Sequence, residues 1–205
     1  MTDGTNINFW QRMAKFYASF MRSAAPLYDA VCGRCRPYLN QKMDVMELAC
    51  GSGQLTFRLA EGVRWWEATD FSEKMLAEAM KHPGPQNLTF AVRDATNLPY
   101  SNASFDAALI ANALHVMPSP ERALAEIRRV LRPGGLLLAP TFIWETDIRQ
   151  RISTRLMALA GFHVFHKWST GEFVAYVEKQ GFAVLGREML GGGIRPLCCL
   201  IARKV

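Results

Sequence analysis

Two carboxylates set around a glycine turn are the residues of this chain best suited to chemistry. Glu47 ends a short apolar run and precedes the turn Ala49-Cys50-Gly51-Ser52-Gly53, after which Gln54, Leu55 and Thr56 begin a helical pattern. About 17 residues beyond Gly53 comes Asp70, at the end of the next apolar run. A strand, a glycine turn and a helix in this order make a nucleotide-binding layout. Glycines let the backbone approach a ligand closely, and an acid at the end of the second strand accepts hydrogen bonds from two ribose hydroxyls. The spacing also excludes a ligand. A dinucleotide fingerprint has a third glycine that packs the helix on the strand, and Leu55 or Thr56 stands at that position. With no pyrophosphate to cradle, an adenosyl ligand lacking phosphates fits better than NAD.

Four blocks extend this layout in order: ELACGSG (Glu47–Gly53), ATDFSEKML (Ala68–Leu76), Asp94-Ala95 at the head of the segment that runs to Met117, and LRPGG (Leu131–Gly135). In order and spacing they resemble the class I S-adenosylmethionine-dependent methyltransferases, and most of all the small-molecule branch that includes the quinone-biosynthesis C-methyltransferases. The resemblance covers Asp44 to Phe142 well and the rest weakly. One departure is visible: Ala49 stands where many members carry the first glycine. Alanine is expected to fit there with a negative φ.

The resemblance implies a direct displacement, in which a nucleophile attacks the methyl carbon of S-adenosylmethionine in line with the sulfonium. The protein then mainly supplies position and exclusion of water. It also implies a cofactor site. Backbone around Glu47, Ala49, Gly51, Ser52 and Gly53 is expected at the methionine part, with Glu47 ordering the turn or taking the amino group. Asp70 is expected on the ribose diol, with Phe71 and Met75 against sugar and adenine. Asp94 is expected to accept from the adenine amino group, the Ala95 N–H to donate to the ring, and Asn112 to lie beneath the sulfonium. Asp94 could instead cap a helix, and Met75 could belong to the core. Tyr17 is similar in placement to a tyrosine that closes over the cofactor in many relatives, and could equally be a core aromatic on an amphipathic helix.

His115, in Asn112-Ala-Leu-His115 after the fourth apolar run, is the acid–base candidate, because an unperturbed imidazole deprotonates a hydroxyl or an acidic carbon near neutral pH. Methylating a thiolate or phenolate needs no base, so this role depends on the acceptor. Cys32-Gly-Arg-Cys35 invites a metal or redox reading, which His163 and His166 could complete. A thiol trio for arsenic could use Cys32, Cys35 and Cys198 or Cys199. The i, i+3 spacing suits packing on one helix face better than a knuckle turn, and no metal is expected.

The elements that must position these groups alternate. Strands are predicted at Asp44–Ala49, Arg64–Thr69, Leu88–Arg93, Phe105–Asn112 and Leu136–Phe142. Helices are predicted at Gln54–Glu61, from a Ser72 cap to Lys81, and from Ser119-Pro120-Glu121 onward. In that last helix Ala123, Leu124, Ile127, Val130 and Leu131 face the sheet, and Arg122, Glu126, Arg128 and Arg129 face water. A helix from a Ser169–Glu172 capping box to Gln180 and two strands, Ala183–Met189 and Leu197–Arg203, follow. Alternation argues a parallel sheet with helices on both faces. With the resemblance, the expected fold is α/β: a Rossmann-like three-layer sandwich with a seven-stranded, mostly parallel sheet whose last strand is antiparallel.

Two segments fall outside this core: residues 1–40, amphipathic through Phe9, Trp10, Met13, Phe16, Tyr17, Phe20 and Met21, and residues 143–168, with a helix at Arg149–Leu159 and the aromatic loop Phe162–Trp168. Both are expected to be caps over the carboxyl edge of a single domain, 1–205, with Phe165 and Trp168 beside His115.

The chain of 205 residues is 50% hydrophobic and 20% charged, as an ordinary globular domain is. Met1–Asn8 is too polar for a signal peptide, and the longest apolar run, Gly134–Trp144, is too short to span a bilayer, so a cytoplasmic protein is expected. Five cysteines, an odd number, favour a reducing compartment. The net charge of +6 reads as a solvated surface, with a patch for an anionic substrate or RNA as the alternative. Asn112-Ala-Leu-His115 replaces the Asn/Asp-Pro-Pro-aromatic signature of enzymes that methylate amino groups of nucleic acids. The expected acceptor is therefore a small, partly apolar molecule methylated at O, S or C. An RNA- or protein-directed methyltransferase, or a protein that binds the cofactor without chemistry, are the alternatives.

Overall fold

Every residue of strand β1 (Asp44–Leu48) is buried, as a strand covered on both faces of a parallel sheet requires. The computed structural model describes residues 6, 9–13, 24–144, 162–191 and 196–205. Tyr17 and the expected helix Arg149–Leu159 lie outside them. Within the described residues β1 pairs in parallel with β2 (Trp65–Asp70) on one side and β4 (Phe105–Ile110) on the other. β3 (Leu88–Val92) extends the β2 side and β5 (Leu131–Phe142) the β4 side, both parallel. The chain ends with β6 (Phe182–Leu190) and β7 (Leu197–Lys204), and β7 lies antiparallel between β5 and β6. The seven-stranded order is β3-β2-β1-β4-β5-β7-β6, which is the mostly parallel sheet with an antiparallel last strand that the sequence predicts.

Helices α1 (Ala25–Cys35), α2 (Thr56–Leu59), α3 (Glu73–Ala79), α4 (Pro120–Val130) and α5 (Thr170–Lys179) divide between two cores. Leu124 and Ile127 of α4 and Phe173 of α5 join Met46, Leu48 and Ile110 in one. Val31 and Cys35 of α1, Leu59 of α2 and Leu76 of α3 join Val45, Trp66 and Leu109 in the other. Neighbouring strand residues point to opposite faces, so Val45 and Met46 serve different cores, and the result is three layers.

The local signals hold unevenly. Ser72 Oγ accepts from the Met75 N–H at the start of α3, and Ser169 with Glu172 forms the expected capping box on α5. Ser119 makes no side-chain cap bond on α4, whose first turn instead has Pro120 and Glu121. α2 is shorter than Gln54–Glu61 and passes into a 3₁₀ turn at Ala60–Gly62. β5 starts at Leu131 rather than Leu136. It takes Pro133-Gly134-Gly135 into the sheet through a register shift against β4, with Gly134 at φ 73. A bulge of this kind tolerates a proline that donates no hydrogen bond. No described helix is long and apolar enough to cross a membrane.

Candidate functional site

The strand order reverses between β1 and β4, and in an open parallel sheet ligands lie outside the carboxyl ends of the strands at such a switch point. A cavity of about 650 Å³ opens there, within the range of small-molecule sites. Its wall is built from strand ends: Glu47, Ala49, Cys50 and Gly51 at the end of β1 and just beyond it, Asp70, Phe71, Ser72 and Met75 at and beyond the end of β2, Asp94, Thr96 and Asn97 after β3, and Ala111, Asn112 and Ala113 after β4. Eight of the eleven residues expected at a cofactor are thereby brought together. Ser52, Gly53 and Ala95 belong to the same loops but are not among the wall residues.

The glycine turn is tied to the next strand. The Cys50 N–H donates to the Thr69 carbonyl at 2.9 Å, and the Gly51 N–H donates to Asp70 Oδ2 at 2.8 Å. Asp70 Oδ1 accepts from the Ser72 N–H at 2.8 Å. Burial raises the Asp70 pKa, and these backbone donors oppose that rise. Gly51 has φ 58, and Ala49 has φ 53. The expected negative φ at Ala49 is thus overturned: the turn needs the left-handed region even though an alanine occupies it. Asn112, on the same wall, has φ 52. Left-handed backbone costs a non-glycine residue about 1–2 kcal/mol, and such strain gathers at ligand sites.

Glu47 is buried inside the wall. Its Oε2 accepts from Thr56 Oγ1 at 2.6 Å and from Trp66 Nε1 at 3.0 Å, so it ties the end of β1 to the start of α2. Burial pushes its pKa up to about 7, against the effect of these two donors. Asp94 Oδ1 accepts from the Thr96 N–H at 2.8 Å and Thr96 Oγ1 at 2.7 Å; it closes a turn rather than capping a helix, and its second oxygen takes neither bond. Asn112 Oδ1 is buried without a hydrogen-bond partner, although its backbone N–H donates to Pro140 O at 2.8 Å. A buried orphan acceptor on a cavity wall calls for a donor from a ligand.

The facing wall comes from Asn6, Trp10 and Tyr28 and from Val116, Met117, Pro118, Ser119 and Arg122. Arg122, expected only to face water, is exposed and also lies on this wall. Phe9 and Trp10 pack their rings on Phe162, with centroids 5.2 and 5.4 Å away. The described parts of the two expected caps therefore meet at the cavity. Phe165 and Trp168 are not among the wall residues. Asn6 and Trp10 were not singled out by sequence reasoning as site residues, and only the amphipathic pattern of their segment could have drawn attention to them.

His115 is not brought to the cavity. It sits in a 3₁₀ turn, Leu114–Val116, beneath the aromatic loop. Its carbonyl accepts from the Phe165 and His166 N–H groups at 3.0 and 3.1 Å, and its ring lies 5.2 Å from Trp144. Burial, with a smaller effect from His166, pushes the imidazole down to about 3. A general base works best with a pKa near the operating pH, so the expected proton-abstracting role does not suit this geometry. All five cysteines are buried free thiols, with Cys32 and Cys35 packed into the core beside Cys199. Among the described residues no three His, Cys, Asp or Glu side chains are grouped to hold a metal ion.

Comparison with known proteins supplies the family. The methyltransferase domain family matches residues 45–135. The chain is 31% identical over 192 residues to the ubiquinone/menaquinone biosynthesis C-methyltransferase UbiE of Methylobacterium nodulans, covering 81% of this chain and 76% of that protein. It is 32% identical over 136 residues, 60% of its length, to an uncharacterized chloroplastic methyltransferase of Arabidopsis thaliana, but spans only 38% of that relative. Its fold is similar, at a TM-score of 0.79 and 18% identity over 95% of this chain and 96% of the other, to a methyltransferase solved in complex with the Trm112 methyltransferase activator of Haloferax volcanii. The chain belongs to the class I S-adenosylmethionine-dependent methyltransferases, and S-adenosylmethionine is its cofactor.

Proposed function

We propose that the chain transfers the methyl group of S-adenosylmethionine to the O, S or C atom of a small, partly apolar acceptor. The observation that carries this reading is the division of the cavity lining by chemistry. Glu47, Asp70, Asp94 and the orphan Asn112 Oδ1 lie along the sheet edge, while Trp10, Tyr28, Val116, Met117 and Pro118 supply a largely apolar face. The first group fits the cofactor, whose ribose, adenine and ammonium offer hydrogen-bond donors. The second fits an apolar acceptor.

In this reading Asp70, held by Gly51 and Ser72, accepts from the ribose hydroxyls. The second oxygen of Asp94 accepts from the adenine amino group, with the Ala95 N–H donating to the ring and Phe71 and Met75 packing on its sides. Backbone of Ala49, Gly51, Ser52 and Gly53 meets the methionine part. Glu47 and Asn112 Oδ1 face the ammonium and the ground beneath the sulfonium. Tyr17 is assigned to the cover over the cofactor. When bound, the cofactor supplies an already activated methyl carbon, so the residues mainly orient, exclude water and hold charge. His115 is assigned to support of the loop above it rather than to proton transfer.

Labelled methyl transfer screened over thiols, phenols and quinones tests the reading, with turnover of at least one class expected. A macromolecular acceptor is the second reading, favoured by the net charge of +6 and by the exposed Arg122 on the cavity wall. It predicts salt-dependent association with RNA, or methyl transfer only to protein, with no turnover in the small-molecule screen.

A further inference from the structure

Every polar atom of the Asn6 side chain is engaged. Its Nδ2 donates to the Val116 carbonyl at 2.8 Å and to the His163 carbonyl at 3.1 Å, and its Oδ1 accepts from the His163 N–H at 3.0 Å. The amide orientation follows from these partners, since a flipped amide would set its oxygen against two carbonyl oxygens. Asn6 is only 9% exposed. Val116 belongs to the segment after β4 that walls the cavity, and His163 belongs to the loop that leads to α5. Trp10, four positions after Asn6 and within the helical residues 9–13, lies on the same wall. One amide thus joins three distant segments, one of which carries an indole on the cavity wall.

We infer that Asn6 is a latch: a positioning residue whose three hydrogen bonds hold Trp10 against the cavity, so that an adenosyl ligand leaves only when they break. The inference rests on the cofactor reading above. Among side chains of this length, only an uncharged amide offers two N–H donors and an acceptor in one plane. Each buried bond contributes modestly, so together they slow release by roughly 10–100-fold, which is firm enough to retain a ligand and weak enough to open between turnovers.

The test uses the full chain and S-adenosylhomocysteine alone, with release followed by stopped-flow displacement. Asn6→Ala should speed release by roughly 10–100-fold while the variant still unfolds in one cooperative urea transition. Asn6→Asp should release faster still, because a carboxylate would face both carbonyls. Its excess over the wild type should shrink as the pH falls and the carboxyl gains a proton to donate, a signature that a merely structural role would not give. That pH dependence decides the matter even where Asn6→Ala folds poorly. Adding Asn6→Ala to Trp10→Ala should change release little, because the latch acts through the indole. Release from Asn6→Ala within twofold of the wild type, a pH-independent Asn6→Asp, or multiplicative effects in the double variant would overturn the latch while leaving the cofactor reading intact. A wild type that does not bind S-adenosylhomocysteine would overturn the cofactor reading and the latch with it.

Discussion

The Gly51 N–H donates to Asp70 Oδ2 at 2.8 Å, so the turn after β1 and the acid after β2 hold each other across the cavity wall. The parallel register that pairs Leu48 with Thr69 brings the two strand ends level. With the Ser72 N–H on its other oxygen, the Asp70 carboxylate is oriented before any ligand arrives. Each oxygen keeps a lone pair for a further donor, as a ribose diol requires.

Asp70→Ala should weaken S-adenosylmethionine binding by roughly 1–3 kcal/mol, because the ribose loses a charged acceptor. Asp70→Asn should lose less, since one oxygen remains for the Gly51 or Ser72 N–H. Titration calorimetry checks both. A wild type that binds NAD tightly and S-adenosylmethionine not at all would contradict the assignment.

Much of this architecture is legible in the chain because local patterns and tertiary needs agree. The apolar run before Gly51, the Ser72 cap and the Ser169–Glu172 box each mark an element that forms near its predicted place. The exceptions have physical causes. Pro133-Gly134-Gly135 normally ends an element, but here the sheet absorbs it through a bulge. The left-handed φ of Ala49 is imposed by ties such as the bond from the Cys50 N–H to Thr69, which no local propensity encodes. His115 follows β4 in sequence, yet a 3₁₀ turn carries its ring beneath the aromatic loop. Asn6 gives no local signal because its partners lie 110 and 157 residues away.

Glu47 should make ligand-free stability depend on pH. Its carboxyl is raised from 4.5 to about 7 in the folded state, so between those values the folded protein holds a proton that the unfolded chain has released. Stability contributed by this group is present below pH 4.5 and is lost as the pH rises through 7, by roughly 3 kcal/mol in all. The melting temperature should fall over that window more in the wild type than in Glu47→Gln. A cationic ligand beside Glu47 would favour its charged form, so cofactor binding at pH 6.5 should release protons. Calorimetry in buffers of different ionisation enthalpy reads this directly, and equal heats in all buffers would remove Glu47 from the ammonium.

His115 has the opposite sign. Its imidazole is lowered from 6.5 to about 3, so the unfolded chain binds the proton more readily, and stability is lost as the pH falls from 6.5 towards 3. His115→Gln should therefore resist acid better than the wild type in unfolding scans at pH 4.5. Its cofactor affinity and turnover at pH 7 should stay within about threefold of the wild type, because the ring is not on the cavity wall. A tenfold fall in turnover with cofactor affinity intact would return His115 to the acceptor side.

Ala49 tests whether the strained turn itself presents the cofactor site. Glycine relieves the left-handed strain at φ 53, worth about 1–2 kcal/mol, but enlarges the unfolded ensemble at a cost of about 0.4–1 kcal/mol. Ala49→Gly should therefore shift stability by about 1 kcal/mol or less, with cofactor affinity nearly unchanged. Ala49→Val cannot take that φ without a clash of its branched side chain. The backbone would have to turn away, loosening the Cys50 and Gly51 N–H groups from Thr69 and Asp70 and pushing methyl groups towards the cavity. Cofactor affinity should then fall by tenfold or more, a loss of about 1.4 kcal/mol or greater, while strands distant from the turn keep their hydrogen-exchange protection. A valine variant that binds S-adenosylmethionine as tightly as the wild type would mean that the left-handed turn is incidental, and that Asp70 alone sets the affinity.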